Sequence, residues 1–219
     1  MELPVFNDSL KSSGEWTARL ARERELHQAW LESGGGTGEG VVDPALAQET
    51  ALLARAHALV TDWAAGPEPR LDRERLAEIN QALRAADAPL FRAGPPPLLA
   101  ALHDPAPAPM LPRLLDLAFD WFETGSFAEL HPVEQATLVY LRLLDLSPFA
   151  DQNEATALVA ASFYTRRSGY PLLVLGGEEE RSGHRQALEA AFGMLTQPLV
   201  EFFAARLIRS MQEERERKW

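Results

Sequence analysis

The fold is decided by Leu144-Asp-Leu-Ser-Pro-Phe-Ala-Asp-Gln-Asn-Glu-Ala-Thr-Ala-Leu158, a stretch that lies between two amphipathic segments. Proline lacks a backbone amide and forces the residue before it out of the helical region, so Ser147-Pro148-Phe149 ends the first helix. We predict that Asp151 or Asn153 caps a second helix, at about 153–167. A polar loop that opens onto a helix N-terminus is a place where backbone amides attract an anion.

Composition and charge limit the classes of protein to which the chain can belong. Its 219 residues, 46% of them apolar, are enough for one or two domains with a core. A net charge of −11 argues against a nucleic acid or an anionic membrane as partner, because both would repel the chain. The absence of cysteine excludes disulfides, a thiol nucleophile and a zinc–thiolate site. With no signal-peptide pattern and no apolar run of membrane-spanning length, we expect a cytoplasmic protein of bacterial type.

Helix-start signals divide the chain before the central stretch. Asp43-Pro44 predicts a helix that runs to about Ala65, and Asp72 begins another whose buried stripe is Leu76, Ile79 and Leu83. We therefore predict two regions, an N-terminal helical extension at 1–70 and a main domain at 71–219 with closing C-terminal helices.

A proline-rich segment and several helical segments flank the central stretch. Residues 88–112 hold eight of the sixteen prolines, so this segment is not a helix interior or a central strand. Helical patterns return at Leu114 and again at His131-Pro132, where the histidine is interpreted as a helix-entry residue. We interpret His103 as a solvated loop residue and expect His184 to be exposed.

Four residues of the central stretch, Pro148, Phe149, Asp151 and Asn153, match the pattern His-Pro-Phe-x-Asp/Glu-Gly-Asn-Gly-Arg. The loop thus resembles the signature of the Fic family (also called Fido), whose members transfer AMP from ATP to a hydroxyl of a target protein. The order of flanking and closing helices is also similar, from about Asp72 to Leu207. The resemblance implies an all-α, Fic-like helical bundle with an N-terminal helical extension and a flap.

The chain departs from the signature where the family does its chemistry. Ser147 occupies the position of the general-base histidine, and Gln152 and Glu154 replace the two glycines. The signature arginines are replaced by Ala155 and Leu158. In working members the histidine takes a proton from the attacking hydroxyl, and the arginine neutralises charge on the triphosphate. The resemblance makes residues 147–149 and 151–154 the candidate nucleotide or anion loop.

The resemblance also assigns two upstream segments. In Fic proteins a flap follows a Phe/Tyr-Arg pair that resembles Phe91-Arg92, and it pairs with the backbone of the target. Leu98 and Leu99 lie in the one part of the Pro-rich segment that has amides to offer. Glu39-Gly40 resembles the end of the family's inhibitory helix, but the nearby glycines oppose a rigid helix, and we do not assign that role.

Two functions from different classes follow. The first is a degenerate Fic protein, a pseudoenzyme without catalytic residues that acts by binding a protein partner, with no nucleic acid or membrane involved. The alternative is a divergent nucleotide-dependent transferase, a protein adenylyltransferase or phosphotransferase that uses ATP and Mg²⁺. In that alternative Asp151 is the metal ligand and Asn153 contacts the phosphates. Cofactors are assigned only under the alternative.

Overall fold

A computed structural model of the chain describes residues 44–84, 91–94, 103–175 and 178–216. Within these ranges the chain forms eight α-helices, a short 3-10 turn at Ala108–Met110 and no strand longer than a single β-bridge. The helices are α1 (Pro44–Ala65), α2 (Arg73–Arg84), α3 (Leu111–Phe122), α4 (Gly125–Ala128), α5 (Pro132–Leu146), α6 (Asn153–Arg166), α7 (Glu178–Phe192) and α8 (Gln197–Glu216). The expected all-α class is confirmed. None of the helices in the described ranges has the length and apolar run needed to cross a membrane.

The described residues form two compact units, one that ends at Leu173 and contains α1 to α6, and one that begins at Val174 and contains α7 and α8. In the first unit, α6 packs against α5, α1 and α2, and α3 packs against α5. The predicted division at residue 70 stays a prediction.

Helices α1, α2 and α5 begin where the start signals predict. α1 starts at Pro44, and α2 follows Asp72, whose carboxylate accepts a hydrogen bond from the Arg75 amide at 2.9 Å. α5 starts after His131, which forms a capping box with Glu134: the Glu134 carboxylate accepts a hydrogen bond from the His131 amide at 2.9 Å. Local capping chemistry therefore fixes the entries of α2 and α5.

The central helix α5 is buried along almost its whole length, and its end is buried too. Ser147 has no exposed surface and adopts the left-handed conformation, with φ 40° and ψ 62°. Its amide donates a hydrogen bond to the Leu143 carbonyl at 2.8 Å, and its hydroxyl donates one to the Leu144 carbonyl at 2.7 Å. The last carbonyls of a helix need donors when water is excluded, and Ser147 supplies two of them.

Arg92 supplies further donors to the end of α5. Its Nε donates a hydrogen bond to the Ser147 carbonyl at 2.6 Å, and its Nη2 donates to the Leu146 carbonyl at 3.0 Å and also to the Ala106 carbonyl. Its Nη1 donates to the Gly94 carbonyl at 2.9 Å. Burial lowers the pKa of this guanidinium from its usual value. One side chain thus joins the end of α5 to both described edges of the Pro-rich segment.

The Pro-rich segment is non-helical in its described parts until the 3-10 turn. Phe91 forms an antiparallel bridge with Phe149, and their rings stack with centroids 5.1 Å apart. α3 begins slightly earlier than predicted, at Leu111, because Pro112 lies in the first turn, where its missing amide breaks no hydrogen bond.

In the second unit, α7 and α8 pack against each other around His184. This side chain is 4% exposed and lies 5.6 Å from the Phe202 ring and 6.4 Å from the Phe203 ring, centroid to centroid. The expectation that His184 is exposed was wrong, because it occupies the inner face of α7. Glu180 forms ion pairs with Arg206 at 3.3 Å and Arg209 at 2.7 Å across the two helices.

We predict that Arg92→Met lowers the free energy of unfolding by about 3 kcal/mol, since buried carbonyls lose their donors. Arg92→Lys should cost almost as much, because one ammonium cannot reproduce the planar fork of donors. Arg113→Met, at an exposed arginine of α3, is the matched control and should change stability by no more than about 0.5 kcal/mol. Urea unfolding monitored by circular dichroism measures all three. A loss below about 1 kcal/mol for Arg92→Met would contradict the capping role.

We also predict that the folded protein loses stability in mild acid. Burial lowers the pKa of His57 and of His184 from 6.5 to about 4. Below pH 6.5 the unfolded chain binds protons at these imidazoles that the folded chain does not bind until about pH 4. The free energy of unfolding should therefore fall as the pH is lowered from 6.5 to about 4, by up to about 3 kcal/mol per histidine.

His57→Leu and His184→Leu should each flatten that decline when urea unfolding is measured at several pH values. Unchanged slopes in both variants would show that other groups cause the acid sensitivity.

Candidate functional site

The loop between α5 and α6 brings all the predicted signature residues together at the N-terminus of α6. Ser147 and Phe149 are fully buried, whereas Asp151, Gln152 and Glu154 are exposed. The first half of the loop is buried and caps the C-terminus of α5, and the exposed second half leads into the first turn of α6.

Ser147 faces inward at the position where the family has its general base. Its hydroxyl has no exposed surface and already donates its proton to the Leu144 carbonyl. A general base must reach the proton that it abstracts, directly or through one water. A buried hydroxyl that acts as a helix-capping donor is not placed to do so.

The Asn153 side chain binds the backbone of Phe149, in the same loop. Its Oδ1 accepts a hydrogen bond from the Phe149 amide at 2.9 Å, and its Nδ2 donates one to the Phe149 carbonyl at 2.8 Å. Neither Asp151 nor Asn153 caps α6, so that prediction was wrong. The N-cap residue is Gln152, which makes no side-chain capping bond. The reason is that the Asp151 carboxylate binds Arg84 and the Asn153 side chain binds the Phe149 backbone.

Gln152, at the position of a signature glycine, adopts a backbone conformation that favours glycine. Its φ is 57° and its ψ 22°, in the left-handed region that favours glycine. The turn therefore has the shape that a glycine would favour, but it carries an exposed amide side chain in place of bare backbone.

Asp151 binds α2. Its Oδ1 lies 2.8 Å from the Arg84 Nε, and its backbone carbonyl accepts a hydrogen bond from the Asn80 Nδ2 at 3.2 Å. The Asn80 Nδ2 also donates to the Thr156 hydroxyl at 3.3 Å, in the first turn of α6. The carboxylate predicted as a metal ligand is thus half of an ion pair.

Glu154 adds negative charge at the start of α6. Its side chain is exposed, and its charge reaches the buried Tyr140 on α5. Burial and, secondarily, the Glu154 carboxylate raise the pKa of Tyr140 well above its usual range. A carboxylate here opposes the attraction that a helix N-terminus has for anions.

His103 is not a solvated loop residue, and that interpretation was wrong. Its Nε2 lies 2.7 Å from the Asp145 Oδ1, and Arg142 binds the other oxygen of the same carboxylate. The sequence gives no sign of this contact, because it joins the Pro-rich segment to the last turn of α5.

Two residues that the resemblance assigns to Mg²⁺ and ATP under the alternative function are bound to other groups of the protein. Asp151 is paired with Arg84, and both polar atoms of the Asn153 side chain are bonded to Phe149. No three His, Cys, Asp or Glu side chains of the described ranges are grouped so that they could hold a metal ion. Glu39-Gly40, Leu98 and Leu99 lie outside the described residues.

Asn80 and Arg84 were not among the site residues predicted from the sequence. A signal was present, since the two residues are four apart and therefore lie on one face of α2. That face also contains the buried Leu76 and Leu83, so it points toward the interior of the bundle. Polar residues that continue a buried stripe often bind another element of the fold, but their partner cannot be identified without the structure.

No protein-family profile matches the chain. A curated relative, protein adenylyltransferase fic-1 of Caenorhabditis briggsae, is 30% identical over 107 residues, which are 49% of this chain and 21% of the relative. Protein adenylyltransferase Fic of Drosophila willistoni is 31% identical over 85 residues, 39% of this chain and 17% of the relative. The chain thus matches about a fifth of the length of these proteins.

Solved structures with the same fold cover nearly the whole chain. A Fic-domain-containing signalling protein from Bacteroides thetaiotaomicron aligns with a TM-score of 0.69 at 20% identity, over 96% of this chain and 92% of that protein. The complex of IbpAFic2 with adenylylated Cdc42 aligns with a TM-score of 0.59 at 15% identity, over 91% of this chain and 71% of that protein. The helical fold shared with Fic-domain structures, the signature-like loop and the local sequence similarity to Fic adenylyltransferases agree: the chain is similar to proteins of the Fic (Fido) family.

Proposed function

We propose that the chain is a pseudoenzyme of the Fic family, which transfers no AMP and acts by binding a protein. The observation that carries this proposal is the burial of Ser147, whose hydroxyl caps α5 at the position of the general base. Loss of a general base alone removes a contribution of roughly 10²–10⁴-fold in rate.

The charge at the loop supports the same conclusion for ATP binding. Glu154 places a carboxylate at the N-terminus of α6, and at about 5 Å and an effective dielectric constant near 20 each pair of like charges costs on the order of 3 kcal/mol. Ala155 and Leu158 stand where working members have arginines. The triphosphate would therefore meet repulsion with no compensating cation from the signature.

A protein partner fits this reading. IbpAFic2 has been solved in complex with adenylylated Cdc42, so a protein with this fold binds a protein target. We propose that the present chain retains protein binding without the transfer step. Its net charge of −11 favours a partner that is neutral or basic where the two meet.

Calorimetric titration with ATP and Mg²⁺ tests the proposal. We expect no binding tighter than about 100 μM, which corresponds to about −5.5 kcal/mol. Labelled ATP should leave no AMP on the chain itself or on proteins of a cell lysate. Tighter binding or Ser147-dependent labelling would instead support a divergent nucleotide-dependent transferase.

Replacement of the divergent loop residues by those of the signature tests whether their side chains exclude ATP. We predict that Gln152→Gly, Glu154→Gly and Ala155→Arg together create measurable ATP binding by calorimetry, because they remove a carboxylate and restore a cation. Addition of Ser147→His should bring no further gain in ATP affinity, since the base acts in transfer and not in binding.

The triple variant with Ser147 intact is thus the matched control for the quadruple variant. If neither variant binds ATP, the loop side chains are not what excludes the nucleotide, and this part of the account is wrong.

A further inference from the structure

One face of α2 binds the exposed half of the signature loop. Asn80 and Arg84, one helical turn apart, contact the backbone and the side chain of the same residue, Asp151. Asn80 has no exposed surface, and its second contact is to Thr156 at the start of α6. The two polar residues therefore bind both the loop and the helix that follows it.

The apolar packing of α2 fixes these contacts in place. Leu76 and Ile79 are almost completely buried, and α2 packs against both α1 and α6. A helix that is anchored in this way presents Arg84 with little loss of rotamer freedom, and 19% of its side chain is exposed. The Asp151 side chain is 54% exposed, so the ion pair lies at the surface of the loop.

The Arg84–Asp151 ion pair opposes the binding of Mg²⁺ at the Asp151 carboxylate. Mg²⁺ requires near-octahedral oxygen coordination at about 2.0–2.1 Å. A guanidinium nitrogen 2.8 Å from the Asp151 Oδ1 blocks that oxygen and repels a second cation. The described ranges offer no grouped acidic side chains that would offset this repulsion.

We propose that Arg84 supplies at Asp151 the positive charge that a divalent cation supplies at this carboxylate in working members of the family. The loop is then held by α2, and its conformation does not depend on a metal. The inference concerns the counter-ion of Asp151 and goes beyond the proposed loss of AMP transfer.

Manganese is the direct probe, because electron paramagnetic resonance distinguishes free from bound Mn²⁺. With the full chain and no nucleotide, we expect no bound Mn²⁺ that depends on Asp151 at concentrations up to about 1 mM. Bound Mn²⁺ that disappears in Asp151→Asn would overturn the proposal. It would leave the proposed absence of AMP transfer standing, because Ser147 would still lack base function.

A double-mutant cycle tests the arginine itself. Arg84→Met and Asp151→Asn should each lower the thermal midpoint by up to about 4 °C, and the double variant should lose no more than the larger single loss. Addition of MgCl2 should not shift the midpoint of the wild-type protein. Additive losses, or a Mg²⁺-dependent rise of the wild-type midpoint that requires Asp151, would overturn the proposal.

Arg75→Met is the matched control for this cycle. Arg75 lies on the same helix, but it contacts the Arg70 carbonyl and the Trp63 ring. Its effect on the midpoint should add to that of Asp151→Asn. Coupling of Arg75 with Asp151 as large as that of Arg84 would contradict a specific role for Arg84, because it would place the effect in the whole helix.

Discussion

The C-terminus of α5 is buried, and its carbonyls must find donors inside the protein. Backbone carbonyls without a partner and away from water cost free energy, so a helix that ends in the core needs capping groups from the chain itself. The Arg92 guanidinium, the amide and hydroxyl of Ser147 and the amide of Ala106 provide them. This constraint fixes the start of the signature loop and joins the Pro-rich segment to the central helix.

Three polar side chains of the loop bind partners within the protein. Ser147 donates to α5, Asn153 binds both backbone atoms of Phe149, and Asp151 pairs with Arg84. Each of these side chains stands at a position where the family's signature serves a nucleotide. The backbone keeps the left-handed turn at Gln152. The hydrogen-bonding capacity of these three side chains is thus used within the protein.

The sequence was sufficient for most of the helix starts, because they depend on local chemistry. Asp43-Pro44 and His131-Pro132 mark the beginnings of α1 and α5, and Ser147-Pro148 marks the end of α5. The contacts of Asp151 could not be predicted. Its short-range preference for capping competes with an ion pair to Arg84, and only the packing of α2 against α6 decides between them. The expectation that His184 is exposed failed for a similar reason, because the burial of His184 depends on the packing of α8 against α7.

The central claim is that the chain's own side chains occupy the place of the nucleotide and its metal. A crystal structure grown with Mg²⁺ and a non-hydrolysable ATP analogue tests this most directly. The account predicts no nucleotide density over the first turn of α6, with Arg84 still on Asp151. A triphosphate seated at that turn, with Mg²⁺ on the Asp151 carboxylate, would contradict it.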